Sequence, residues 1–166
     1  MVRFANHPTP LQLNRLLNDA GSTRDLLELH RQHGPACDGH NRSMCWVKLR
    51  QSRDCAWLRS NGGELLFALR DQTHTQAGTL NPRGVASTTH ALATLDLKGR
   101  AWECLWTALE LRALACVDQL NPQELANIAW ALVKASRPAL ALFDAIAVEA
   151  ARRVREFNPQ SLANTE

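Results

Sequence analysis

The sequence predicts an all-α protein, an α-solenoid of stacked antiparallel helix pairs with a repeat of about 37–40 residues. Two observations predict it. The first is a recurring string: Leu80-Asn81-Pro82-Arg83 returns as Leu120-Asn121-Pro122-Gln123 and again as Phe157-Asn158-Pro159-Gln160, at offsets of 40 and then 37 residues. The second is that residues upstream of each string keep one register. Leu66, Trp106 and Phe143 each stand fifteen residues before the Asn; Leu69, Leu109 and Ile146 follow three residues later, and Ala77, Val117 and Val154 eleven later. Agreement at several positions in three units is not expected of chance. The chain therefore divides as one helical-repeat domain over 1–166. Residues 1–79 hold degenerate repeats, 80–119 and 120–156 hold clear ones, and 157–166 read as the truncated start of another.

Each unit reads as two helices. Asn121 is a good N-cap, because its side chain can accept from an orphan amide of the opening turn. Pro122 then takes the first helical position, where its missing N–H costs nothing. Glu124 stands three after the cap, as in a capping box. Leu125, Ile128, Ala129, Leu132 and Val133 follow at helical spacing as one apolar stripe. Pro138 can start the second helix, whose stripe is Phe143, Ile146, Ala147, Ala150, Ala151 and Val154. Neither helix buries its stripe alone, but stacking successive pairs would create a continuous core.

Nearer the N-terminus, Pro10 opens a helix with Leu13, Leu16 and Leu17, and Ser22 or Thr23 can cap a second with Leu26, Leu27 and Leu29. A third holds Cys45, Trp46 and Leu49. Asn41 fits its cap by the 40-residue offset, but Asp38 aligns Trp46 with Trp130. Asp38 is preferred, because a Trp is harder to relocate than a cap. Ser60-Asn61-Gly62-Gly63 is then a loop before the helix of Leu65, Leu66 and Leu69.

Hydrophobic residues make up 45% of the 166, enough for a core, which argues against a disordered chain. The five Cys are odd in number and irregular in spacing, so no secreted disulfide framework is expected and the compartment reads as reducing. No apolar run is long enough to span a bilayer. No signal core and no long Arg/Ser-rich lead is visible at the N-terminus; the protein is cytosolic or nuclear, or the chain begins inside a larger precursor. The net charge is only +3. Residues 1–79 hold ten Lys/Arg against seven Asp/Glu, and 80–166 hold nine against nine. Arg42, Lys48, Arg50, Arg53 and Arg59, opposed only by Asp54, form either a basic face for phosphates or an ordinary solvated helix face; charge alone favours the second.

The strings at 120–131 and 157–165 resemble octotricopeptide repeats, a group related to the helical repeats of FAST-kinase-like and RAP-domain proteins and similar to those of kinetoplastid RNA-editing substrate-binding complex proteins. Asp25 to His30, His33-Gly34 and Cys45-Trp46 look like first repeats of that group. The resemblance covers about 20–166, strongly from 120 onward. It implies an α-solenoid that binds single-stranded organellar RNA, in a mitochondrion or chloroplast, and acts in RNA processing, stability or translation, alone or with other proteins of an RNA-processing complex. No RAP domain follows Glu166, so nuclease-like activity associated with that module is not implied.

Candidate chemistry is sparse. His30, His33, Cys37, His40 and Cys45 are spaced somewhat like metal ligands, but the first two fall on a helix and Cys45 precedes a core Trp, so a structural role is expected and no metal or cofactor. No nucleophilic triad or phosphate loop can be assembled, and no enzymatic activity is expected. Trp46, Trp106 and Trp130 fall at apolar or semi-buried repeat positions and are expected to pack; Trp57 and Trp102 are less constrained. Asn127 and Asn164 share one repeat position with Ser87. They either hydrogen-bond a base edge or bond a neighbouring repeat. Arg152, Arg153 and Arg155 suit a helix C-terminus. The expected RNA-binding set is Lys48, Arg83, Ser87, Asn127 and Lys134, on a groove lined by the first helix of each pair. The competing expectation is a protein–protein interaction scaffold of the same fold, favoured by the near-neutral charge of 80–166.

Overall fold

The computed structural model describes residues 8–52, 58 and 63–156. Regular structure among them is helical throughout: α1 (Pro10–Asn18), α2 (Thr23–His33), α3 (Gly39–Gln51), α4 (Gly63–Thr75), α5 (Pro82–Thr94), α6 (Glu103–Ala115), α7 (Pro122–Lys134) and α8 (Leu140–Arg152). The start of a further repeat expected at 157–166 lies outside the described residues.

The starts of the helices are chemically local. Thr9, Ser22, Asp38, Asn81 and Asn121 each accept a backbone N–H of the first turn on a side-chain oxygen. Prolines follow three of these caps. Asp38 is thus the cap of α3, and Asn41 is its capping-box partner. The alignment that recommended Asp38 does not hold, however: Trp46 lies eight residues after its cap and Trp130 nine. The counterparts of Trp130 are Val47 and His90. Pro138 does not start α8; its carbonyl accepts from Leu140 at 3.0 Å and the helix begins there.

The ends follow two patterns. α5 and α7 stop in left-handed residues, Asp96 (φ 57°) and Ser136 (φ 55°). The next amides, of Leu97 and Arg137, donate back to Leu92 and Leu132 at 3.0 and 2.9 Å, which closes a Schellman motif at both. α2, α4, α6 and α8 instead lead into 3₁₀ turns, Gly34–Ala36, Ala77–Thr79, Val117–Gln119 and Val154–Glu156. Ala77, Val117 and Val154, matched in the sequence, are the first residues of three of these turns.

Packing sorts the helices into two rows. α5 lies between α3 and α7, with α1 on the far side of α3; α2, α4, α6 and α8 contact one another in that order. One buried cluster runs through both rows, from Leu17 to Ile146. The fourth residue after each odd-row cap is fully buried: Leu13, Arg42, Val85 and Leu125. Polar clips fasten the even row. Arg70 donates to the Ala101 carbonyl at 2.8 Å, and Glu110, forty residues after Arg70, pairs with Arg137 at 2.6 Å.

Some expected core positions are corrected. Val133 is 68% exposed, whereas its counterpart Ala93 is buried under α7; Val133 occupies the corresponding face of α7, which no described helix covers. Leu16 is 42% exposed. In α8 the buried residues are Leu142, Ile146 and Glu149, while Ala147 and Ala151 face solvent and Phe143 and Ala150 are half-buried; Val154, in the turn that follows, is exposed. The stripe starts one residue earlier than the spacing of small residues suggested.

Candidate nucleic-acid interface

Among the odd-row helices α3 and α5 are buried on most of their circumference, because each touches a row neighbour on either side and the even row beneath; α7 has such a neighbour on one side. A narrow open stripe remains at positions two, six, nine and thirteen after the cap. On α5 these are Arg83, Ser87, His90 and Thr94; on α7 they are Gln123, Asn127, Trp130 and Lys134; on α3 they are His40, Met44, Val47 and Gln51. The spacing is the i, i+4, i+7, i+11 row of one helical face. No carboxylate stands on it.

The charges segregate by row. The odd-row helices carry Arg15, Arg42, Lys48, Arg50, Arg83 and Lys134, and among the described residues their only acid is Glu124. Its carboxylate accepts the Asn121 N–H at 2.9 Å in the capping box. The even-row helices carry Arg24, Arg31, Arg70, Arg112 and Arg152 against eight acids: Asp25, Glu28, Glu64, Asp71, Glu103, Glu110, Asp144 and Glu149. Counting charge by halves of the chain hid this. Counting it by alternate helices would have found it.

A line of side chains crosses the row. Arg50 Nη1 lies 2.6 Å from His90 Nδ1. The His90 ring stacks on Trp130 with centroids 4.7 Å apart and planes 26° apart. Lys134 Nζ sits 5.2 Å from the Trp130 centroid. Since Arg50 can only donate, His90 must accept at Nδ1 and is neutral in this arrangement. Burial, and then the Arg50 charge, lower the His90 pKa, which favours the same state.

The expected RNA-binding residues are placed unequally. Arg83, Ser87, Asn127 and Lys134 share the open stripe, with Ser87 and Asn127 at the same height on adjacent helices. Asn127 Oδ1 accepts from Gln123 Nε2 at 3.0 Å within α7 rather than bonding a neighbouring repeat. Lys48 lies off the stripe, at the register of buried Ala91 and Ala131, and its Nζ donates to the Asn18 carbonyl at 2.6 Å, where it caps the end of α1. The basic 42–59 stretch is not one face: Arg42 is buried, Lys48 turns to α1 and Arg50 to His90, while Arg53 and Arg59 lie outside the described residues.

Three tryptophans pack. Trp46, Trp102 and Trp106 are buried, and the indole N–H of Trp46 donates to Thr73 and that of Trp106 to Leu97. Trp130 is half-buried on the stripe; Trp57 lies outside the described residues.

His30, Cys37, Arg42 and Cys45 form a buried polar knot. His30 occupies the register of Thr73 and Ala113, and Arg42 that of Val85 and Leu125. Burial and the Arg42 charge push the His30 pKa down to about 4. Burial raises both thiols. The Arg42 guanidinium donates to the Cys37 carbonyl. His40 is exposed, apart from the knot. Among the described residues, no three His, Cys, Asp or Glu side chains gather as a metal site. No described helix is long and apolar enough to cross a membrane. No family model and no curated protein sequence matches this chain.

Proposed function

We propose that the chain is an RNA-binding helical-repeat protein, an α-solenoid of antiparallel helix pairs whose odd-row face takes single-stranded RNA. The observation that carries this is the acid-free stripe on a cationic row, set opposite an acidic one. A polyanion is drawn to the stripe that carries no carboxylate. Ser87 and Asn127 present short polar side chains at one repeat height, suited to base edges, and Arg83 and Lys134 flank them for phosphates. The resemblance to octotricopeptide repeats supports the same reading and adds the setting: organellar transcripts, in a mitochondrion or chloroplast, and no catalysis by the chain itself. The cations on the stripe are few, so binding is weak and its salt dependence shallow.

The test is an anisotropy titration with a random single-stranded RNA pool at low salt. Binding that falls with salt, and that weakens alike for all RNAs in Lys134→Ala, is expected. A folded protein with no RNA affinity removes this reading.

One observation favours the alternative of a protein-interaction scaffold. Leu111, Leu114 and Leu140 line an apolar hollow of about 330 Å³ between α6 and the start of α8, on the row opposite the stripe. Retention of a partner that Leu111→Glu abolishes, in a protein that binds no RNA, would establish it.

A further inference from the structure

Trp130 differs from the three buried tryptophans in a way that packing alone does not require. Its ring lies on the open stripe, one side is stacked by His90, and the cation of Lys134 lies over it at 5.2 Å. The His90 stack holds the indole in place from the neighbouring helix, and Arg50 holds His90 in turn. A flat, braced π-surface is thus covered by a flexible ammonium. Asn127, three residues before Trp130, and Lys134, four after it, share its face of α7.

Resting on the RNA-binding reading, we propose that Trp130 is the stacking platform of a one-nucleotide subsite: a base stacks on its ring in place of the Lys134 ammonium, Asn127 meets the base edge, and the displaced Lys134 pairs with the adjoining phosphate. Stacking gains because every base has a π-face. The displaced cation–π contact is replaced by a charge-assisted phosphate contact, so leaving the ring costs Lys134 little. Ser87 and His90 are the counterparts of Asn127 and Trp130 on α5, where the smaller His90 ring serves to brace Trp130 and is itself held by Arg50. A polyanion without bases can satisfy Lys134 yet cannot occupy the ring.

The experiment is a titration of the full chain with short single-stranded homopolymer RNAs, read by intrinsic tryptophan emission and by affinity, with heparin as the base-free polyanion. RNA is expected to quench the emission, heparin is not, and Trp130→Phe is expected to lose most of the quenching while remaining folded. Trp130→Leu is expected to weaken RNA roughly 5- to 100-fold, the range that one stacked base supplies, with heparin affinity unchanged. Quenching that survives in Trp130→Phe, or equal quenching by heparin, overturns the platform while leaving RNA binding standing. Wild-type protein that binds no RNA overturns both.

Discussion

Arg153 Nη1 donates to the backbone carbonyl of Leu120 at 2.7 Å, reaching from the end of α8 to the residue just before the cap of α7. The same position in the preceding unit, the Leu80 carbonyl, accepts from Arg112 Nε at 2.8 Å, and the Cys37 carbonyl accepts from Arg42. The three arginines come from three different register positions, yet each satisfies the carbonyl at the same kind of junction. That carbonyl belongs to a buried residue between a 3₁₀ turn and the next helix, where water cannot readily replace the donor.

Arg112→Ala is therefore expected to destabilise the protein by about 1.5–3 kcal/mol, the loss of a charge-assisted bond to a sheltered acceptor. Urea unfolding would measure it. A change under 0.5 kcal/mol would show that the carbonyl finds another donor.

Adjacent residues of α7 should respond oppositely to one substitution. Leu132 is fully buried and Val133 is 68% exposed. Leu132→Asp is expected to prevent folding or cost several kcal/mol, through lost burial and an unpaired charge. Val133→Asp should stay within about 0.5 kcal/mol. Thermal melts of the pair check the assignment of faces directly, and similar losses in both variants would refute it.

Acid should weaken the fold through His30. Its folded pKa of about 4 lies below the ordinary 6.5, so the folded state prefers the neutral ring. Stability is fully present above about pH 6.5 and is lost as the pH falls toward 4, because the unfolded chain takes up a proton the folded one refuses. The loss by pH 4.5 is roughly 2–3 kcal/mol. Carboxylates titrate in the same range, so the check is a comparison with His30→Thr, the residue type of Thr73 at the same register. The variant should show a shallower pH dependence between 6.5 and 4.5; parallel curves would exclude His30 as the cause.

Ser136 sits at φ 55° in the turn after α7, a conformation that glycine adopts freely and serine does not. Ser136→Gly should raise stability by about 0.5–1 kcal/mol, part of the left-handed cost being offset by the greater freedom of glycine in the unfolded chain. Differential scanning calorimetry should record a higher Tm. An unchanged or lower Tm would mean that the serine side chain contributes where it stands.

What the sequence determined by itself is local. The caps at Asn81 and Asn121, the prolines behind them and the matched residues Leu69, Leu109 and Ile146 act within a few turns of chain, so their chemistry can be read from spacing. The all-helical character and the repeat follow from them. The tertiary structure decided which face of each helix stays open. α3 shows why: Asn41, Arg42 and Ser43 are buried along with Cys45, Trp46 and Leu49, so apolar spacing does not mark its core face. The exposure of Val133, the turn of Lys48 toward α1 and the stacking of His90 on Trp130 all depend on which helix lies alongside. Burial is a property of neighbours brought together by the stacking of units. For that reason the alternation of almost acid-free and acidic helices, already written along the sequence, becomes two faces of opposite character only when alternate helices are assembled side by side.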